Sequence, residues 1–304
     1  MKKIVLLASG VLSLSACMKS GDDNGNQVTQ VGFPSQVVIN EQGSAGAITT
    51  TIDYKIAGDR LLGWTEMKVD NGTKTEKTYE IKYKDGEQVI DQVTIKATGV
   101  ADKVYVYDFT GPTINKISLK DTNQYIEYHY KQRLDRKTVV NGTVTKTFSY
   151  EYNANAVFIN VSDGKNSELM SYTLNNDGMV GVFEKIPYVG NVLNKEQRSY
   201  CTYTSYDTKH SNIYSGRLFQ WLTEIDQIEH YDAYGSHLMD SMIHSAFYPL
   251  TSYTKHFYNN NLSPDYNDLG NGTRTFDYQY DGNRLKSMTY KIDGKVKATY
   301  TYNY

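Results

Sequence analysis

Three histidines fall at seven-residue intervals, His230, His237 and His244, with Glu229, Asp232 and Asp240 close by. Imidazole and carboxylate groups are zinc ligands, so this stretch is the first place to look for a metal. A single helix usually presents zinc ligands three or four residues apart, as in His-Glu-x-x-His, and that motif is absent. Gly235 also interrupts a continuous helix here. The oxygen-rich stretch from Asp265 to Gly272 has calcium-type ligands without EF-hand spacing. No metal site is assigned to either. Neither a Gly-x-Ser-x-Gly elbow, a Walker loop nor a dinucleotide-binding glycine motif occurs. No catalytic residue and no cofactor is expected. The carboxylate pair of a glycoside hydrolase, being a spatial arrangement, would leave no trace in sequence spacing.

Aromatic residues are the more promising chemistry. The chain of 304 residues carries 28 Tyr and 9 Phe but only two indoles, Trp64 and Trp221. Rigid rings stack on the C–H faces of sugars, and Tyr adds a hydroxyl. Trp221, Tyr231 and Tyr234 lie where the strand pattern breaks, and with Trp64 they are the candidate binding residues. The competing reading makes Trp221 a helix core residue. Cys201 stands in Ser-Tyr-Cys-Thr-Tyr alternation, where a half-buried strand residue is expected rather than a reactive thiol.

The N-terminus carries the strongest signal. Lys2 and Lys3 precede the short apolar run Ile4 to Leu14, which is too short for a membrane span. It ends in Leu14-Ser15-Ala16-Cys17, which resembles the lipobox of bacterial lipoproteins. The resemblance implies cleavage before Cys17 and lipidation of its thiol; two or more acyl chains hold a protein stably on a membrane. Lipidation would leave Cys201 as the only free thiol, so no intrachain disulfide is expected. The polar, acidic residues after Cys17 are similar to the export stretch of Bacteroidales surface lipoproteins. Outer-membrane anchoring follows, with the cell surface favoured over the periplasmic face. Formal charge is −2, and becomes −4 without Lys2 and Lys3. Nothing resembles the clustered basic surface that nucleic acid requires.

These residues must be held by strands. Tyr79, Ile81 and Tyr83 alternate with Glu80, Lys82 and Lys84, and the same period of two recurs at Tyr105 and Tyr107, Tyr128 and Tyr130, Phe148 to Tyr152, and Tyr300 to Tyr304. Turn signals separate the runs: Asn71-Gly72, Asp85-Gly86, Asn141-Gly142, Asp163-Gly164, Asp177-Gly178, Asp281-Gly282 and Asp293-Gly294. An imperfect repeat of strand, turn and strand start is seen at 54–61, 83–90 and 276–285. The expected fold is all-β, an antiparallel meander of Tyr-rich hairpins forming a rolled sheet or barrel. Over 216–247 the period changes to helical, with Leu218, Trp221, Leu222, Ile225 and Ile228, then Met239, Met242, Ile243 and Ala246. The organisation expected is a signal peptide over 1–16, a flexible tether over 17–45 and one β domain over 46–304 with the insertion at 216–247.

The last repeat resembles the Tyr-Asp (YD) repeats of Rhs-type proteins. The whole plan, with Tyr206-Asp207-Thr208-Lys209 and Asn212 before the final hairpins, resembles a group of Bacteroidales lipoproteins carrying a domain of unknown function with a porin-like fold. That resemblance implies a curved or closed antiparallel sheet and assigns no activity. The functional expectation is an outer-membrane lipoprotein acting through binding or scaffolding, with a glycan or an envelope protein as partner and no nucleic acid. The alternatives are a carbohydrate-active hydrolase or lyase, and a pore component. A pore is disfavoured, since Tyr and Thr fill mid-strand positions where a lipid-facing row needs aliphatic residues.

Overall fold

The computed structural model describes residues 32–43, 46–58, 60–85, 89–111, 113–176, 179–213, 222, 224, 225, 228, 249–257 and 272–304. The described chain is antiparallel β-structure. Its first strands are β1 (Gln36–Gly43), β2 (Gly46–Ala57), β3 (Arg60–Asp70), β4 (Thr73–Tyr83), β5 (Ile90–Ala97), β6 (Lys103–Thr110) and β7 (Thr113–Leu119). Then follow β8 (Gln124–Tyr130), β9 (Leu134–Asn141), β10 (Val144–Tyr152), β11 (Ala156–Ser162), β12 (Ser167–Leu174), β13 (Val180–Val189), β14 (Val192–Leu193), β15 (Ser199–Tyr206) and β16 (Leu250–Phe257). The last are β17 (Gly272–Asp281), β18 (Arg284–Ile292) and β19 (Lys295–Asn303). A short 3-10 turn, Lys195–Gln197, follows β14.

Two compact units share these strands: a terminal unit of residues 32–122 and 275–304, and a central unit of 123–274. In the terminal unit each strand from β1 to β7 pairs with the next, and the last strand, β19, pairs with both β18 and β1. β1 falls inside the stretch 17–45 expected to be a tether. It is instead a strand with partners on both sides, because Val37 is the buried member of an alternating run between Tyr302 and Ile52. In the central unit β8 to β13 pair in sequence, β13 pairs with β14 and β15, and β15 with β16.

The period of two decides which residues are buried. Tyr105, Tyr107, Tyr128, Phe148, Tyr150, Tyr172, Phe183, Tyr203, Tyr253 and Tyr302 all face inward, with Ile81, Val93, Ile117, Ile126 and Ile159 among them. Aromatic and β-branched side chains suit a pleated surface buried on one side. The hairpins turn where positive φ is available: Asn71 and Gly72 have φ of 48° and 80°, and Asp293 and Gly294 have 48° and 77°. Such pairs match the twist of the flanking strands. Positions 86–88 and 177–178, two of the expected turns, lie outside the described residues.

Three of the hairpin units share one device. Arg60, Arg133 and Arg284 each precede a buried leucine at a strand start, namely Leu61, Leu134 and Leu285. Tyr83 donates its hydroxyl to Leu61 O at 2.7 Å, and Tyr152 donates to Leu134 O at 2.9 Å. Tyr304 Oη accepts the Leu285 N–H at 2.9 Å. The guanidinium carbons lie 5.5, 5.2 and 5.2 Å from the centroids of the three rings. The tyrosine, at or just past the end of the next strand, thus ties the start of the strand beside it, at sites where β-bulges interrupt the regular ladder in two cases.

Candidate functional site

Of the binding residues expected from sequence, Trp64 is described. It lies on β3 directly opposite Tyr54 and Tyr79. Its ring stacks on that of Tyr79 at 4.2 Å and 13°. Phe33 meets Tyr54 edge-on at 4.9 Å, and Lys77 Nζ stands 5.1 Å from the Tyr79 centroid. The result is a cross-strand aromatic ladder in which Tyr79 covers one face of the indole. Trp221, Tyr231, Tyr234 and Cys17 lie outside the described residues, as do His230, His237, His244 and the Asp265 to Asn271 stretch. Cys201 is fully buried.

The helical period expected after residue 216 is met at four positions. Leu222, Glu224, Ile225 and Ile228 are helical and buried. Glu224 brings a carboxylate against the buried face of the central unit. Tyr128 donates its hydroxyl to Glu224 Oε2 at 2.8 Å, and Lys137 Nζ lies 3.5 Å from the same oxygen. Lys137 is 0% exposed, stands opposite Tyr128 and Phe148, and lies 4.9 Å from the Phe148 centroid. Burial pushes the Lys137 ammonium below its ordinary pKa, and the adjacent Glu224 opposes that shift. Sequence alternation alone would place an aliphatic residue at 137. The signal missed was a lysine on the apolar phase of β9.

The opposite strand faces are polar in both units. In the terminal unit Asn303, Gln36, Asp53, Thr65, Thr78 and Lys96 stand side by side in one cross-strand row. Hydrogen bonds link Asn303 to Gln36 at 2.8 Å, Gln36 to Asp53 at 2.7 Å and Thr65 to Thr78 at 3.2 Å. Ion pairs Lys96–Glu80 at 2.8 Å and Lys82–Asp91 at 3.1 Å decorate the same face. In the central unit the corresponding row is Glu127, Thr138, Thr147, Ser162 and Ser167.

That second row ends in a cleft of about 280 Å³. Its floor is Thr147 and Ser149 of β10, Asn160 and Ser162 of β11 and Ser167 of β12, and the hairpin from β13 to β14 supplies Tyr188, Gly190 and Asn191. Ser167 and Gly164 both donate to Ser162 Oγ, at 3.3 and 3.2 Å, which leaves the Ser162 proton available. Glu168, also at the cleft, is held by Lys185 at 2.7 Å. Sequence reading missed this site, because the hydroxyl residues are far apart in the chain and meet only through strand register.

No family model matches the chain, and no curated relative does. Solved structures similar in fold include two porin-like proteins. A porin-like protein from Bacteroides vulgatus is 10% identical, with a TM-score of 0.44 over 91% of this chain and 98% of its own. A porin-like protein from Bacteroides uniformis is 16% identical, with a TM-score of 0.40 over the same shares.

Proposed function

We propose that the chain is an outer-membrane lipoprotein, anchored through Cys17, whose β-structure works in water as a binding or scaffolding module. The observation that supports this reading is the pair of polar cross-strand rows. A membrane-spanning strand presents an aliphatic band ~25 Å tall to lipid, with aromatics at its rims. Here the face away from the apolar side carries Thr, Ser, Asp, Gln and Lys side chains bonded to one another. Val106, 39% exposed, is flanked across its strands by Gln92 and Ser118. The lipobox-like Leu14-Ser15-Ala16-Cys17 supplies the anchor in this reading, and cell-surface display follows from the acidic stretch after it. A hydrolase or lyase would place two unpaired acids, or a Tyr and His pair, in a cleft. At the cleft of the central unit Glu168 is committed to Lys185 instead.

The test joins two measurements. Metabolic labelling with an alkyne palmitate should mark the wild-type chain and not Cys17→Ala. The Cys17→Ala chain should then stay in the aqueous phase of a detergent phase separation. Label retained by Cys17→Ala, or partition of that variant into detergent, would overturn the proposal.

A further inference from the structure

We propose that the cleft beside the β13–β14 hairpin binds a neutral, polyhydroxylated ligand, a short stretch of glycan, with Tyr188 as its ring platform. This deepens the binding-module reading and rests on it.

The lining chemistry selects such a ligand. Thr147, Ser149 and Asn160 make no side-chain hydrogen bond among the described residues, and Ser162 keeps a proton to donate. Hydroxyls and amides that both donate and accept are matched by a ligand with the same dual capacity. A phosphate or sulfate would call for Arg or Lys at the floor, and a metal cation for several carboxylates. The floor has neither: its acid, Glu168, is neutralised by Lys185 at 2.7 Å. An extended peptide would need an open strand edge, yet β10, β11, β12 and β13 are each paired on both sides. An apolar ligand would leave these polar groups unpaired.

Tyr188 extends from the end of β13 at the rim of this floor, half-buried. A phenol ring there can stack on a sugar's C–H face while its hydroxyl bonds the ring substituents. Gly190, at φ 61°, turns the chain back into β14, with Asn191 at the tip. At about 280 Å³ the cleft falls just below the usual range for small-ligand sites, about 300–1,000 Å³, which suits a short segment of a chain.

The experiment is an oligosaccharide array probed with the full chain in detergent micelles, carrying neutral hexose and pentose oligosaccharides beside acidic polygalacturonate fragments. Capture of neutral glycans is expected. Tyr188→Ala should weaken it about tenfold. Asn160→Ala should weaken it measurably, and Tyr188→Phe should retain most of it. All three variants should melt as the wild type does, which separates lost binding from lost folding. Capture of no neutral glycan would overturn the inference. So would preference for the acidic fragments, or binding unchanged in both alanine variants. Those outcomes leave the anchored, water-facing reading standing, since lipid labelling and phase partition decide it separately.

Discussion

At the scale of single residues, the tyrosines do more than fill space. Two of the three Arg-Leu and Tyr ties begin in copies of the internal repeat, 54–61 and 276–285, and the third, at Arg133-Leu134, follows the same plan: a buried leucine begins a strand, and a phenol at the end of the next strand secures it. The sequence shows the arginine and leucine as a recurring pair but cannot show which tyrosine returns to them. Tyr83→Phe should remove one hydrogen bond to Leu61 O while keeping the ring under Arg60. A loss of about 1 kcal/mol is expected in chemical denaturation, and Tyr152→Phe should behave alike at Leu134; no change in either would show that the ring contacts alone secure the strand. Gly63 is stricter. Its φ is 147°, and a Cβ there would lie 2.0 Å from the carbonyl oxygen of Tyr79. Backbone would have to move, so Gly63→Ala should cost at least about 2 kcal/mol. By contrast, a Cβ at Gly142, φ 65°, meets nothing within 4 Å, and Gly142→Ala should cost only the left-handed penalty, roughly 1–2 kcal/mol. Equal losses at the two glycines would refute the clash.

At the scale of elements, alternation made the strands legible. A period of two in Tyr79 to Tyr83, or Phe148 to Tyr152, needs no tertiary knowledge to assign a face. The bulges were not legible, because the register shifts near Lys55 and His129 depend on which strands pair. The same dependence hid the hydroxyl row that builds the cleft and the partner of Lys137. That lysine and Glu224 join a strand to the helical residues Leu222, Glu224, Ile225 and Ile228 at a buried point. Each charge is costly to bury alone, and the pair is a weak stabiliser relative to apolar replacements. Lys137→Met or Glu224→Leu should therefore each cost about 3–5 kcal/mol, since each strands its partner. The double variant should cost clearly less than the two losses added. Additive losses in that double-mutant cycle would show that the helical residues dock without this pair.

At the scale of the whole chain, composition forecast the class of fold, because so many tyrosines with so few prolines suit pleated surfaces. It could not say how deeply each phenol is held, and that depth has a consequence for pH. Burial raises the pKa of Tyr172 and Tyr203 well above the ordinary phenol value, with the neighbouring Cys201 adding to the shift. Burial alone raises Tyr206, and it leads in Tyr130, while Tyr300 is pushed up to about 12. A phenol is neutral in both states below its unfolded pKa of about 10, so these groups contribute their full stabilisation there. Above that pH the unfolded chain sheds protons that the folded chain retains, and stability falls as pH climbs toward the folded values. Alkaline titration should thus show two phases of phenolate absorbance. Exposed tyrosines should ionise first with the sheet's circular dichroism intact. The buried set should ionise later, in a single step that coincides with loss of the sheet signal. Smooth ionisation of every phenol near pH 10 in a folded chain would mean that the rings are not shielded from water, and the inward-facing tyrosine core would have to be abandoned.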